Sequence, residues 1–220
     1  MQRATLVVAG NNYLADRAKC AGANRIEILP TVIDLEKYPI TSTPKDNIFR
    51  IGWIGTPGTS KYLTIIASAL KEIFSSGDAR LVLVGAGKVD ISGVSVKHIT
   101  WSEASEVEAI QSFDVGIMPL PDEPWERGKC GLKLIQYMAC ARPVVGSPVG
   151  VNCKIIEHGI NGYLAETKDE WMHALLMLKE NKEQRLRMGL AGRKIVEKEY
   201  CLQVTAPLLM KMLRSVKYDE

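Results

Sequence analysis

"ERGKCGLKLIQYMACARPVVGSPVG", residues 126–150, reads as a helix that runs into a short β-branched strand and then a glycine turn. The strand piece, "RPVVGS" (142–147), shows no apolar–polar alternation, which is the pattern of a strand covered on both faces. At the helix start, Gly128 and Gly131 surround Lys129, and Lys133 follows one turn later. The first turn of a helix carries partial positive charge, so two cations four residues apart are locally unfavourable there. An anion would reverse the sign of that arrangement. It would meet backbone amides, the helix dipole and ammonium groups together, at roughly 1.5–3 kcal/mol per charge-assisted hydrogen bond. An exposed charge near a helix end is worth only about 0.3–1 kcal/mol, so a bound diphosphate outweighs the repulsion. The competing reading is a pair of solvated lysines kept for solubility. Helical spacing predicts Leu132, Ile135 and Ala139 as the buried stripe, with Lys129, Lys133, Gln136 and Tyr137 opposite.

Outward from this stretch, the same grammar repeats. "TLVVAG" (5–10), "FRIGWIG" (49–55), "RLVLVGAG" (80–87), "VSVKHITW" (94–101) and "DVGIMPL" (114–120) are short apolar runs. Helical patterns at 60–74, 103–112, 130–140 and 151–157 alternate with them. This alternation predicts an α/β fold, a Rossmann-like doubly wound parallel sheet. The last third is helical: "TKDEWMHALLMLKEN" opens with a capping box from Thr167 to Glu170, and further helices are expected at 182–199 and 203–216. The polar, proline-containing "TSTPKDN" (41–47) is the best linker candidate.

Bulk composition narrows the function classes. The chain has 220 residues, 46% hydrophobic and 24% charged, which is ordinary for a globular domain. A net charge of +3, spread along the sequence, suits a phosphate-sized anion better than nucleic acid. Five cysteines form an odd set without metal-ligand spacing, which predicts reduced thiols, mostly core fillers, in a cytoplasmic setting and no metal site. No apolar run approaches the length of a membrane span, while docking at the inner face of a membrane is compatible with the composition.

Two further loops follow strand ends, where ligands bind in open α/β sheets. In "GTPGTSK" (55–61), Gly55 and Gly58 allow close approach of a phosphate, Thr56 and Thr59 offer hydroxyls, and Lys61 lies in the following helical turn. It does not match a Walker A loop, and a plain glycine turn accounts for it equally well taken alone. In "LVGAGK" (83–88), Gly85 and Gly87 begin a dinucleotide-like pattern, but Asp90 stands where the third glycine belongs, which argues against an NAD-binding redox domain. Gly85 is expected on the rim of the pocket, beside a nucleoside. His98, His158 and His173 are too scattered for a triad or a metal set.

The motifs "IGWIGTPGTSKYL", "LVLVGAG", "FDVGIMPL", "KCGLKLIQYMACARPVVGSPVGVN" and "IIEHGINGYL" together resemble the C-terminal, donor-binding domain of retaining GT-B glycosyltransferases, group 1. The resemblance covers about residues 48–200. It implies transfer of a sugar from a nucleotide-diphosphate sugar, with retention and without a required cofactor, to a sugar or lipid-linked acceptor held by an N-terminal half. Residues 1–40 then look like a remnant of that half plus linker, 41–200 like the nucleotide-sugar-binding domain, and 201–220 like the helix crossing back. The chain would be a fragment, incomplete for catalysis alone. Lys61 matches the family lysine that meets the diphosphate, with Lys133 or Lys129 compensating for a family arginine replaced by Thr56. The family's paired glutamates fall on Gly128 and Gln136. Gln136 can still bond ribose hydroxyls, whereas Gly128 cannot touch a donor sugar, leaving Asp122, Glu123 or Glu126 as substitutes. By this resemblance, Lys61 and Lys133 are the catalytic pair. Gly55, Thr56, Lys61, Gly85, Lys129, Cys130, Gly131, Leu132, Lys133 and Gln136 form the donor site. The rival expectation is a non-catalytic nucleotide-binding or assembly module of the same fold.

Overall fold

A computed structural model describes residues 1–41 and 46–216, so positions 42–45 of the expected linker and the last four residues of the 201–220 segment lie outside the described residues. The chain opens with β1 (Val7–Ala9), α1 (Asn12–Cys20) and β2 (Ile26–Ile28), and β1 and β2 pair in parallel as a two-stranded sheet of their own. The main body follows as β3 (Phe49–Ile54), α2 (Pro57–Ser60), α3 (Ala67–Phe74), β4 (Ala79–Val84), β5 (Val96–Ile99), α4 (Glu103–Gln111) and β6 (Val115–Met118). It continues through α5 (Pro124–Arg127), α6 (Leu132–Ala139), β7 (Val144–Gly146), α7 (Asn152–Ile155), β8 (Gly162–Leu164), α8 (Lys168–Glu180), α9 (Lys182–Glu199) and α10 (Leu202–Arg214).

The main sheet has the order β5-β4-β3-β6-β7-β8, with every pairing parallel. Chain order reverses between β3 and β6, the switch point of a doubly wound sheet. Strand alternation divides the core into two layers. Ile51, Trp53, Leu81 and Leu83 face one side, where α3 and α8 contribute Leu70, Ile73, Trp171 and Leu175. Ile54, Val82 and Val84 face the other, under α4, α6 and α9. Beyond Arg50 and Arg80, β3, β4 and β6 are buried on both faces, as their apolar runs predict, whereas the edge strand β5 exposes Lys97 and His98. On the second side α6 lies very close to the sheet: a Cβ on Gly116 of β6 would sit 2.1 Å from the Tyr137 ring.

The capping box at Thr167 is present, with both Thr167 and Glu170 bonded to the opposing backbone N–H, and it starts α8 one residue later. The expected helix over 60–74 is three pieces: α2, a 3-10 turn over Lys61–Ile66, and α3. The break leaves the buried stripe intact, since Leu63, Ile66, Leu70 and Ile73 keep helical spacing and are buried while Ile65 is exposed. The cysteine expectation holds only for Cys140 and Cys201: Cys20 and Cys153 are exposed and Cys130 is half-buried. After β2 the chain returns to the main body through Ile33, whose N–H donates to Tyr200 O (3.1 Å) and whose carbonyl accepts from Leu202 N–H (2.9 Å). At its other end α10 reaches the small sheet, where Arg25 Nη2 donates to Ser215 Oγ at 2.7 Å.

Candidate functional site

A cleft of about 440 Å³ opens at the carboxyl ends of β3 and β6, the switch point of the sheet. Ile54 and Met118, the last residues of those strands, form its floor; Gly55, Thr56, Lys129, Cys130, Gly131, Leu132, Lys133 and Gln136 line it together with Trp101 and Glu106. Of the ten residues expected at a donor site, these eight stand on the lining. The other two are off the lining: Lys61 is exposed, with its Nζ 5.5 Å from the Tyr62 ring centroid, and Gly85 lies one layer behind, against the Gly55 carbonyl and the Cβ of Trp101.

The start of α6 is built for close contact. Gly131 is its N-cap in the left-handed region (φ 70°), and a Cβ there would also lie 2.3 Å from Ile155 Cδ1. Only glycine meets both conditions. No acidic residue occupies the first turn, so the amide ends of this helix face the cleft without a carboxylate of their own.

Two ammonium groups, those of Lys129 and Lys133, stand beside this turn, Lys61 lies off the lining near Tyr62, and among the described residues none of the three is in an ion pair. Aromatic rings hold them instead. Lys61 Nζ and Lys129 Nζ share the Tyr62 ring, 5.5 and 5.8 Å from its centroid, and Lys129 also stands 5.9 Å from Trp125. Lys133 Nζ sits 5.6 Å from the Trp53 centroid. Such contacts contribute about 0.5–1 kcal/mol each at exposed sites. They orient a cation without neutralising it. Burial, helped by the charge of Lys129, brings the Lys133 ammonium down to about 8. A lysine held this way gains its full charge when an anion arrives.

The far end of the cleft is different in chemistry. Glu106 of α4 accepts from Gln136 Nε2 (2.5 Å) and Tyr38 Oη (3.1 Å) at one oxygen, and from Trp101 Nε1 (2.6 Å) at the other. Gln136 Nε2 also donates to Tyr38 Oη at 3.2 Å. Burial raises the Tyr38 hydroxyl to about 12, which keeps it a donor.

Two expectations for α6 are corrected. Leu132 is 43% exposed at the cleft mouth, whereas Tyr137 and Gln136 are buried. The Tyr137 hydroxyl passes into the sheet and accepts the Ile54 N–H at 3.0 Å. From Leu134 onward every residue of α6 is buried, so there is no polar face for Tyr137 to occupy. The substitute carboxylates of the preceding loop stand off the cleft lining: Asp122 pairs with Arg127 (2.6 Å), Glu126 accepts from the Tyr62 hydroxyl, and Glu123 is exposed. Sequence reasoning missed Trp53, Tyr62, Trp101 and Glu106. Trp101 lies in the loop after β5, the signal that identified the other loops, whereas Glu106 is inside α4 and carried no such signal.

The loop of residues 128–130 is braced from the N-terminal unit. Asn11, the N-cap of α1, donates through Nδ2 to the carbonyls of Gly128 (3.3 Å) and Lys129 (3.0 Å). Among the described residues no group of His, Cys, Asp and Glu is placed to hold a metal, and no helix is long and apolar enough to cross a membrane.

Residues 48–181 match the family model described as glycosyl transferases group 1. The N-acetyl-alpha-D-glucosaminyl L-malate synthase of Bacillus anthracis is 28% identical over 141 residues, 61% of this chain and 37% of that protein. Among solved structures, Anabaena HepE in complex with UDP-glucose superposes with a TM-score of 0.80 at 20% identity, over 97% of this chain and 65% of that one. Sucrose-phosphate synthase from Thermosynechococcus elongatus gives 0.79 at 17% identity, over 97% and 58%. The chain thus spans well under half the length of its curated relative and about six-tenths of these structures.

Proposed function

This chain belongs to the group 1 glycosyltransferases and has their GT-B, Rossmann-like fold; from that premise we propose that it is the donor-binding half of a retaining enzyme, moving a sugar from a nucleotide-diphosphate sugar to an acceptor. The observation that carries this reading is the pair Lys129 and Lys133, without ion-pair partners among the described residues, on the cleft lining at the acid-free first turn of α6.

As the glycosidic bond breaks, negative charge accumulates on the leaving diphosphate. Lys61, Lys133 and the amides at Gly131 and Leu132 hold that charge, so they favour the transition state over the bound donor. Gly55 and Thr56 approach the phosphates, the backbone of Lys129 and Cys130 borders the sugar, and Gln136 bonds the ribose. Nothing in this scheme requires a cofactor. The separate β1–β2 sheet supports reading residues 1–40 as part of the acceptor-binding half, with α10 returning to it. A sugar or lipid-linked acceptor would enter from that half. The five free thiols are in keeping with a cytoplasmic setting, with contact at the inner membrane face through the acceptor.

Calorimetric titration with UDP, GDP and ADP, each beside its nucleoside, tests the site. One diphosphate should bind about 100-fold more tightly than its nucleoside, the worth of two charge-assisted hydrogen bonds. Equal affinities would refute the reading. A second reading, a nucleotide-binding module without transfer, draws on the sugar end: Gly128 has no side chain, and Asp122, Glu123 and Glu126 stand off the lining. Sugar transfer by a protein containing both halves, with the anomeric configuration of the product read by NMR, separates the two.

A further inference from the structure

Glu106 brings a negative charge into a cleft otherwise lined by ammonium groups and apolar side chains. Among the described residues it forms no ion pair with Lys133 or Lys129. Nor is the carboxylate saturated. An ionised carboxylate accepts about four hydrogen bonds, and three donors reach this one: Tyr38, Gln136 and Trp101. The oxygen bonded to Trp101 keeps an open lone pair. Because Gln136 must turn its NH2 toward Glu106, the orientation of its amide is set by the carboxylate, and its carbonyl oxygen, which has no donor among the described residues yet is not fully buried, remains an acceptor. Two adjacent acceptors, one charged and one neutral, suit a vicinal diol.

Position sets which diol. Gln136 follows Lys133 by three residues on α6, about 4.5 Å along the helix axis. A ligand with anionic groups at the lysines therefore has its next sugar ring beside Glu106, and the carboxylate repels phosphate from that end. Trp101, 50% exposed, offers its indole ring alongside.

We propose that Glu106, in α4, is a specificity-determining residue that accepts a hydrogen bond from the ribose hydroxyls of the bound nucleotide, with Gln136 as its neutral partner. The negative charge that reads the ribose is thereby supplied from outside α6. This assignment rests on the nucleotide-sugar reading given above.

The test is calorimetry on the full chain with UDP, GDP and ADP and with the 2′-deoxy and 3′-deoxy forms of each. The wild-type chain should bind its preferred ribonucleotide about tenfold more tightly than at least one deoxy form, the loss of one hydrogen bond to a charged acceptor. In Glu106→Gln, affinity for the ribonucleotide should fall by a similar factor while affinity for that deoxy form stays put, so the preference collapses. Equal binding of ribo- and deoxynucleotides by wild type overturns the assignment whether or not the variant folds. So does a uniform loss across both in Glu106→Gln, which is what a purely structural role would give. Absence of any nucleotide binding by the wild type removes the donor-site reading itself, and this assignment with it.

Discussion

Replacing Lys133 by methionine should make the free chain more stable and the site worse. The fall of this ammonium from 10.5 to about 8 corresponds, at 1.36 kcal/mol per pH unit, to about 3 kcal/mol of penalty on the charged form. The Trp53 ring returns about 1 kcal/mol of that as a cation–π contact. Methionine fills a similar volume without charge, so the net gain at about pH 7 is about 2 kcal/mol, or a Tm rise of about 4–8 °C for a chain of this size. The pH dependence has a definite sign. The folded value lies below the unfolded one, so between about pH 8 and 10.5 the unfolded chain holds more protons and wild-type stability rises with pH. The advantage of Lys133→Met is therefore full below about pH 8 and closes toward about pH 10.5. Urea denaturation followed by far-UV circular dichroism, at several pH values across that window, reads both effects. Titration of the same samples with nucleoside diphosphate should show a loss of about tenfold or more, one charge-assisted bond. A variant less stable than wild type at neutral pH, or a stability gap indifferent to pH, would refute the electrostatic account of this cleft.

Two other perturbations probe its frame and its charge. Tyr137→Phe strands the buried Ile54 N–H that the hydroxyl accepts, at a cost of about 1–3 kcal/mol, and should lower the urea midpoint with an unchanged m-value; an unaltered midpoint would mean the bond contributes nothing. Thr56 is exposed and makes no side-chain cap bond, so Thr56→Arg costs the fold little and should tighten diphosphate binding by about tenfold at low salt, less at high salt. Unchanged affinity at low salt would put residue 56 out of reach of the anion.

Much of this architecture is legible in the residues. Short, mostly apolar runs without polar alternation marked β3, β4, β6 and β7, because strands covered by helices on both faces need no polar side. By contrast β8, three residues within "NGYLAE", has no such run and exists only because β7 offers it an edge. In the cleft, Gly55, Lys129, Gly131 and Lys133, expected at a ligand site from their place after a strand end or at a helix start, do stand together on one lining. The aromatic rings that carry the lysines gave no such sign, since Trp53 reads as core and Tyr62 as one apolar residue in a turn. Glu106 lies thirty positions from Gln136, and only the packing of α4 beside α6 brings their side chains together.

The paired backbone bonds at Ile33 join the outgoing and returning stretches between the small sheet and the large one. Two crossings stitched at one point constrain each other: neither stretch can be displaced without breaking these bonds or carrying the other with it. Asn11 also holds the carbonyls at 128 and 129, so displacing the start of α1 would pull directly on the loop that carries Lys129.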